Sequence, residues 1–397
     1  MLTAMRKLKG ALSVASNSYG VATGYGQQVK LLIDRLLRSG MDVANLSNFG
    51  LEGRIEKGST PYGKFHHYPK GFKPYSDDVI PVWHEHFLQQ VGEKPDALLT
   101  LYDVWVYKDL QFNGEWLAYV PLDHVTAPPK VVEVLQRDNV TPITMSPHGK
   151  RQLDAIDIEN TYIPHSVDTS IMKPTKKLGG EATRAALEVP EDAFLVTMVA
   201  ANKANGSVHR KSYAEACMAF SMFQQSHPDA YLYIHAIPHN AYGGFRLPDI
   251  IKSVGLSDER VRIANPHHLR IGYSEKDMAA IYSASDVLLA PSLGEGFGVP
   301  IIEAQACGTR VITSNWTATQ DIAGPDSFLV DGQPFWDEPG QAWWYVPLIQ
   351  SIVPALEAAY NAERGTSQES IEWASQFDAD KVWAESWLPF FEGYFSA

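Results

Sequence analysis

Short apolar runs alternate with stretches of helical period along nearly the whole chain, the pattern expected of parallel α/β units. Ala11–Ala15 predicts a first strand, which leads through the glycine-containing loop Tyr19–Gly26 into a helix. That helix carries Val29, Leu32, Ile33, Leu36 and Leu37 on one stripe and stops at Gly40. Val43–Leu46, Ala97–Leu101, Trp116–Val120 and Pro142–Met145 read as further strands, and Tyr162–Pro164 closes the series. Between Val43–Leu46 and about Pro81 the pattern lapses into a Gly-, Pro-, Lys- and aromatic-rich insert, read as loop. A second series runs through Phe194–Ala200, Tyr231–Ala236, Val261–Ile263, Val287–Ala290 and Arg310–Thr313, and an amphipathic helix over about 379–394 ends the chain.

The break between the two series is compositional. Met172–Pro190 holds Pro174, Lys176, Lys177, Gly179 and Gly180, as a linker would. The expected organisation is a Rossmann-like domain over 1–172, a linker over 173–192 and a second Rossmann-like domain over 193–375. A C-terminal helix over 376–397 is expected to pack back on the first domain. In open parallel sheets ligands sit outside the carboxyl ends of the strands, so strand-to-helix turns are where chemistry is sought.

One such turn stands out. Residues 286–309 read DVLLAPSLGEGFGVPIIEAQACGT: a buried strand, a loop with three glycines, and a helix that Pro300 can begin and Gly308 can end. Glycines let the backbone approach a ligand, and the helix N-terminus presents free N–H groups to a phosphate. Glu295 and Glu303 frame the element, and even on one continuous helix they would lie roughly 12 Å apart. That is too far for a proton-sharing pair or a glycosidase dyad. Two separate acceptors of hydroxyl hydrogen bonds fit a diphosphate flanked by two polyhydroxylated rings, which is the shape of a nucleotide-sugar.

The segment resembles the donor-binding signature of glycosyltransferase family 4, the glycogen-synthase-like retaining enzymes. The likeness is carried by Ser285-Asp286, Pro291-Ser292, Glu295-Gly296-Phe297-Gly298, Glu303-Ala304 and Cys307-Gly308-Thr309. It implies a GT-B fold, in which two Rossmann-like parallel-sheet domains face an interdomain cleft, with the acceptor on the first domain and the donor on the second. It also implies that Glu295 contacts the donor sugar, Glu303 the ribose, and backbone around Phe297, Gly298 and Val299 the sugar and phosphate. Arg210-Lys211 matches the basic pair that neutralises the leaving diphosphate, although Ala201 stands where the family commonly has an earlier arginine. His268, in Pro266-His267-His268-Leu269, falls where the family places the nucleobase. Gly24 and Gly26 resemble a loop laid over the phosphates, and a plain tight turn explains them as well. Asp123 and His124 end a strand where the family often has a polar residue near the donor sugar. Tyr102-Asp103 faces an acceptor or caps a turn. Ile163-Pro164-His165-Ser166-Val167-Asp168 resembles a structural turn of the family, with Ser166 replacing glycine.

The implied activity is retaining, metal-independent glycosyl transfer from a UDP- or GDP-linked sugar to an unidentified hydroxyl acceptor. The donor is a substrate, and no cofactor is expected. Rival readings are an epimerase or phosphorylase on the same architecture and a donor-binding protein without activity. His84-Glu85-His86 and His66-His67 have no partner at metal-ligand spacing, so no metal site is expected.

Bulk properties narrow the partners. The formal net charge of −13 disfavours a long phosphodiester footprint, although a nucleic-acid acceptor stays open. The insert holds Arg54, Lys57, Lys64, Lys70 and Lys73 among aromatics, either a polymer contact or a decorated loop. Two cysteines, Cys217 and Cys307, suit a reducing compartment, and no apolar run reaches membrane-spanning length. Residues 11–16, ALSVAS, read as strand and not as a signal peptide, so a cytoplasmic protein is expected.

Overall fold

The computed structural model describes residues 8–178, 181–204, 208–239, 243–257 and 259–395. These form two compact units. The first comprises the described residues up to Leu122, Thr126–Ser166 and the chain from Ala379 onward; the second comprises Asp123–Val125 and Val167–Asp378.

The first unit is built on an eight-stranded sheet: β1 (Ala11–Asn17), β2 (Asp42–Phe49), β3 (Glu56–Thr60), β4 (Gly63–Tyr68), β5 (Asp96–Leu101), β6 (Trp116–Val120), β7 (Val140–Thr144) and β8 (Thr161–Tyr162). Their spatial order is β3-β4-β2-β1-β5-β6-β7-β8. All neighbours are parallel except β3 and β4. β1 is buried at every residue, and β5 and β6 nearly so, because helices cover both faces of a parallel sheet. The strand order reverses at β1, which pairs with β2 on one side and β5 on the other. Its carboxyl end is therefore the crevice of this unit.

The insert after β2 differs from the loop read in the sequence. It pairs as a β3–β4 hairpin, and β4 extends the sheet alongside β2. The strand Glu56–Thr60 carries no apolar alternation because it is a largely exposed edge, so the periodicity that marks a half-buried strand is missing. The helix Ile80–Val91 buries Ile80, His84 and Phe87 on one stripe. A histidine fills a core position there, accepted because its ring bonds Ser13 Oγ at 2.9 Å and Asp96 Oδ1 at 3.1 Å. His86 bonds the Tyr68 hydroxyl and His67 bonds Ser47. Near the C-terminus the helical path widens into a π-type turn at Trp383–Trp387 before continuing as Leu388–Phe395. Pro389 lacks the N–H that a regular helix would aim at Glu385. Trp387 packs edge-on against Tyr119 at 5.1 Å, so this terminal helix belongs to the first unit's core.

The second unit has strands β9 (Lys177–Leu178), β10 (Glu181–Ala182), β11 (Phe194–Val199), β12 (Ala230–His235), β13 (Val261–Ile263), β14 (Val287–Ala290), β15 (Arg310–Ser314), β16 (Phe328–Val330), β17 (Gly332–Asp337) and β18 (Ala342–Pro347). Six make a wholly parallel sheet, β13-β12-β11-β14-β15-β16. Its order reverses at β11, which pairs with β12 and β14. β9–β10 and β17–β18 are separate antiparallel hairpins.

The turn at Ser166 shows how a polar residue can serve structure. Gln28 Nε2 donates to Ser166 O at 2.7 Å, and Ser166 N donates back to Gln28 Oε1 at 3.0 Å, with both residues buried. Gln28→Ala strands two buried backbone groups, each costing about 1–3 kcal/mol. The expected loss is about 2–6 kcal/mol in urea unfolding.

Candidate functional site

The switch point of the second unit collects most of the charged residues picked out in the sequence. The loop after β11 brings Arg210 and Lys211, and the loop after β14 brings Gly294 and Glu295. Lys211 donates to Glu295, and Arg210 donates to Asp123 and, at 3.2 Å, to Gly294 O. The two loops are also stitched through backbone, Leu293 N to Arg210 O at 2.8 Å. Residues 205–207, part of the first loop, lie outside the described residues.

Asp123–Val125 threads into this unit. Val125 and Trp343 exchange backbone hydrogen bonds at 2.9 and 2.7 Å, which attaches the segment to the β17–β18 hairpin. Gly294 is required for that passage: a Cβ there would meet Asp123 O at 2.1 Å and the Trp344 ring at 2.8 Å. His124 is clamped between Asp123 at 2.6 Å and Asp337 at 3.2 Å, and its ring stacks on Trp344 at 4.4 Å. Arg210, Asp123, His124 and Asp337 thus form a chain of alternating charge.

Burial pushes the Asp123 carboxyl up, but Arg210, then His124 and Lys211, outweigh it and hold the group well below the usual carboxylate range. Burial likewise opposes ionisation of Glu295, yet Lys211 and Arg210 keep its pKa below the ordinary value. Burial lowers His124, and the two carboxylates more than reverse that, so its net shift is upward. Lys211 is lowered by burial, partly offset by Glu295. Each of these cations is neutralised by a carboxylate.

The helix Val299–Ala306 starts after Gly298, whose φ of 110° suits glycine. Val299 is its first residue; the next, Pro300, has no N–H, and Ile301 N donates back to Gly298 O at 2.9 Å. Phe297 is 3 % exposed and packs edge-on against Phe377 at 5.7 Å; its side chain anchors the loop, leaving only its backbone for a ligand. Glu303 is held apart from Glu295 by a different partner, the Tyr282 hydroxyl at 2.7 Å. Burial raises Glu303 to about 7, opposed by the Tyr282 bond and aided by Glu275.

Other signature residues are fasteners. Asp286 accepts from Leu195 N and Arg184, and Ser285 joins Thr197 Oγ1 and Ile281 O. His268 is exposed on the short helix Pro266–Ile271, where Asn265 caps the N–H groups of His267 and His268. No recorded bond among the described residues ties it to the Arg210–Lys211 cluster. Gly24 and Gly26 lie in the first unit, at the start of the helix Gly24–Arg38; Thr23 caps Gly26 N at 3.0 Å. Gly26 has no room for a Cβ beside Val21 O, whereas Gly24 faces open space.

Sequence reasoning missed Tyr282, Asp337 and Trp344. Asp337 and Trp344 sit on a hairpin in no α/β repeat, and Tyr282 looks like any core aromatic of a helix. It also passed over Lys203, whose charge lowers Lys211 from the loop where Ala201 replaces an expected arginine. Among the described residues no cluster of three or more His, Cys, Asp or Glu side chains is placed to hold a metal, and no helix is long and apolar enough to cross a membrane.

A linkage prediction follows from Glu303. Below its ordinary value of 4.5 the carboxyl is protonated in both folded and unfolded chains and has no pH effect. Above that the unfolded chain loses the proton first, so stability falls with pH until the folded group also ionises near 7. Relative to Glu303→Gln, the wild type should lose roughly 2 kcal/mol between about pH 5 and pH 8 in urea titrations. Parallel curves for the two proteins would refute a buried, raised carboxyl.

Comparison with known proteins fits this geometry. A family profile described as "Glycosyl transferases group 1" matches residues 251–337. The D-inositol 3-phosphate glycosyltransferase of Rhodococcus opacus is 37% identical over 105 residues, which is 25% of this chain and 22% of that protein. The matched stretch therefore spans about a fifth of that relative's length. "Uncharacterized glycosyltransferase 335" of Sulfolobus islandicus rod-shaped virus 1 is 25% identical over 293 residues, 69% of this chain and 79% of the relative. Among solved structures, sucrose-phosphate synthase of Thermosynechococcus elongatus superposes with a TM-score of 0.70 at 17% identity, covering 98% of this chain and all of that one. Anabaena HepE, solved in complex with UDP and glucose, gives 0.66 at 15% identity, covering 96% and 99%. Over residues 251–337 the chain resembles the GT4-like, group 1 glycosyltransferases, and its fold is the GT-B fold of the solved structures.

Proposed function

We propose that the chain is a retaining glycosyltransferase that takes a sugar from a UDP- or GDP-linked donor and passes it to a hydroxyl acceptor. The observation that carries this reading is the switch-point cluster: two cations, Arg210 and Lys211, each paired with a carboxylate, beside a helix N-terminus. A nucleoside diphosphate competes with these carboxylates for Arg210 and Lys211, and the positive end of the helix that starts at Val299 adds to the attraction.

In the reaction the bond from the anomeric carbon to the diphosphate oxygen breaks, and the electron pair leaves with the diphosphate. Charge grows on that oxygen in the transition state, where fixed cations act most strongly. The acceptor hydroxyl attacks from the same face, and its proton passes to a leaving phosphate oxygen, which preserves the anomeric configuration. Glu295, released from Lys211 by the phosphate, is free to accept hydrogen bonds from the sugar hydroxyls. Glu303 does the same for the ribose. Because Arg210, Lys211 and the helix terminus supply the charge compensation, the chemistry asks for no metal ion.

His124 serves as a positioning residue: with both ring nitrogens facing carboxylates, it fixes Asp123, and through Asp123 it fixes Arg210. Proteins of this fold solved with UDP and glucose, or with UDP-2-fluoro glucose, support the donor class.

Incubation with a panel of UDP- and GDP-sugars, with release of nucleoside diphosphate and the anomeric proton of the product read by NMR, tests the proposal. Glu295→Gln, which keeps the side chain's size, should lower turnover by about 100-fold or more with an unchanged circular dichroism spectrum. Glu295→Ala should abolish transfer. Wild-type turnover in either variant, or a product of inverted configuration, overturns the reading.

A further inference from the structure

The β17–β18 hairpin stands outside the six-stranded sheet, and its two faces meet different surroundings. Directly opposed residues of an antiparallel pair share a face, and the face alternates along each strand. Phe335 with Trp344 and Asp337 with Ala342 form the inner face, where Asp337 and Trp344 meet His124. Pro334 with Tyr345 and Trp336 with Trp343 form the outer one. There the two indoles, each 42 % exposed, meet at 5.1 Å and 67°. Two residues further along β18, about 7 Å away, Tyr345 stacks on the buried ring of Trp316 at 5.4 Å. Gly332 makes room for that stack, because a Cβ there would meet the Trp316 ring at 2.5 Å. The outer face is thus a ladder of rings, seated in the unit at the base and open to water at the tip. A cross-strand aromatic pair can brace a hairpin. This hairpin is already held from its inner face, by Trp344 on His124 and by the backbone bonds between Val125 and Trp343.

Charge and area decide what the exposed rings receive. From Val311 to Glu363 the sequence has no Lys or Arg and seven Asp or Glu residues. Nucleic acid also stacks on aromatics, but it needs a cationic track beside them, and none runs through this segment. A stable protein partner needs about 800 Å² on each side. The two indoles together offer roughly 200 Å², and exposed Glu338 and Gln341 bound them at the tip. A cation is drawn to ring faces backed by a carboxylate. Here Glu338 lies at a ring's edge, where its Oε2 accepts from Trp336 Nε1 at 2.7 Å, and the flat faces stay free of charge. A neutral sugar fits this layout: its C–H face lies on an indole while its hydroxyls reach the carboxylate at the ring's edge and the exposed amides of Gln333 and Gln341.

We propose that the outer face of the β17–β18 hairpin, through Trp336, Trp343, Tyr345 and Glu338, binds a neutral saccharide chain at a surface distinct from the Arg210–Lys211 site. This binding does not depend on the transferase reading. Saturation-transfer NMR on the full chain tests it, with neutral oligosaccharides of glucose, mannose, galactose and N-acetylglucosamine alongside single-stranded oligothymidylate and tetralysine. At least one saccharide series should receive saturation, and its longer members should bind more tightly because the ladder exceeds one sugar ring. Trp336→Ala and Trp343→Ala should each weaken that binding about tenfold. Trp343→Tyr, which keeps a ring on the face, should restore most of it. A second measurement uses the wild-type chain labelled with 5-fluorotryptophan. The fluorine resonances of Trp336 and Trp343, identified by their loss in Trp336→Phe and Trp343→Phe, should move when the saccharide is added. A pair that only braces the hairpin gives the opposite pattern: the alanine variants melt at lower temperature, and no saccharide moves either resonance. That result overturns the proposal. So does a shift of these resonances by oligothymidylate or tetralysine in place of a saccharide. Saccharide binding without any UDP or GDP binding leaves the surface standing and overturns only the transferase reading.

Discussion

Charge brought out of water must find opposite charge, and the second unit is organised around that requirement. Lys211 and Glu295 are drawn from loops on opposite sides of the point where the strand order reverses, and neither would be tolerated there alone. Their pairing fixes the register of the β11 loop against the β14 loop. Arg210 then reaches Asp123, which anchors the Asp123–Val125 segment, which in turn holds the β17–β18 hairpin through Val125 and Trp343. One buried ion pair thus underlies a chain of contacts ending at His124, Asp337 and Trp344.

The same arrangement balances charge within the site. A site of bare cations would strain against its own repulsion, and here the carboxylates of Asp123 and Glu295 hold Arg210 and Lys211 in place. The two glutamates are kept on different partners, Glu295 on Lys211 and Glu303 on Tyr282.

The two units use one topological device for different chemistry. Both are parallel sheets with a reversal in strand order, at β1 and at β11. In the second unit the crevice is lined with ions, in keeping with an anionic ligand. In the first, Tyr25, Tyr75, Tyr102 and Trp105 set a row of aromatic rings there. Glycine permits close approach in both, at Gly26 and at Gly294, where a Cβ would strike backbone oxygen.

The sequence by itself determined the α/β class, nearly every strand of the two parallel sheets, and the strand–Gly-loop–helix element that carries Glu295 and Glu303. These were legible because a buried parallel strand is a continuous apolar run and because a Gly-loop before a helix is a local feature. What depends on non-local pairing was not. Glu56–Thr60 is a strand only because Gly63–Tyr68 lies beside it, and His84 is a core residue only because Ser13 and Asp96 satisfy its ring. His124 was visible, but Asp337 lies 213 residues away, and only the folded chain brings them together. The aromatic row was likewise scattered over Tyr25, Tyr75, Tyr102 and Trp105. The tertiary structure alone decided that these rings meet, because strands distant in sequence deliver their carboxyl ends to one edge of one sheet.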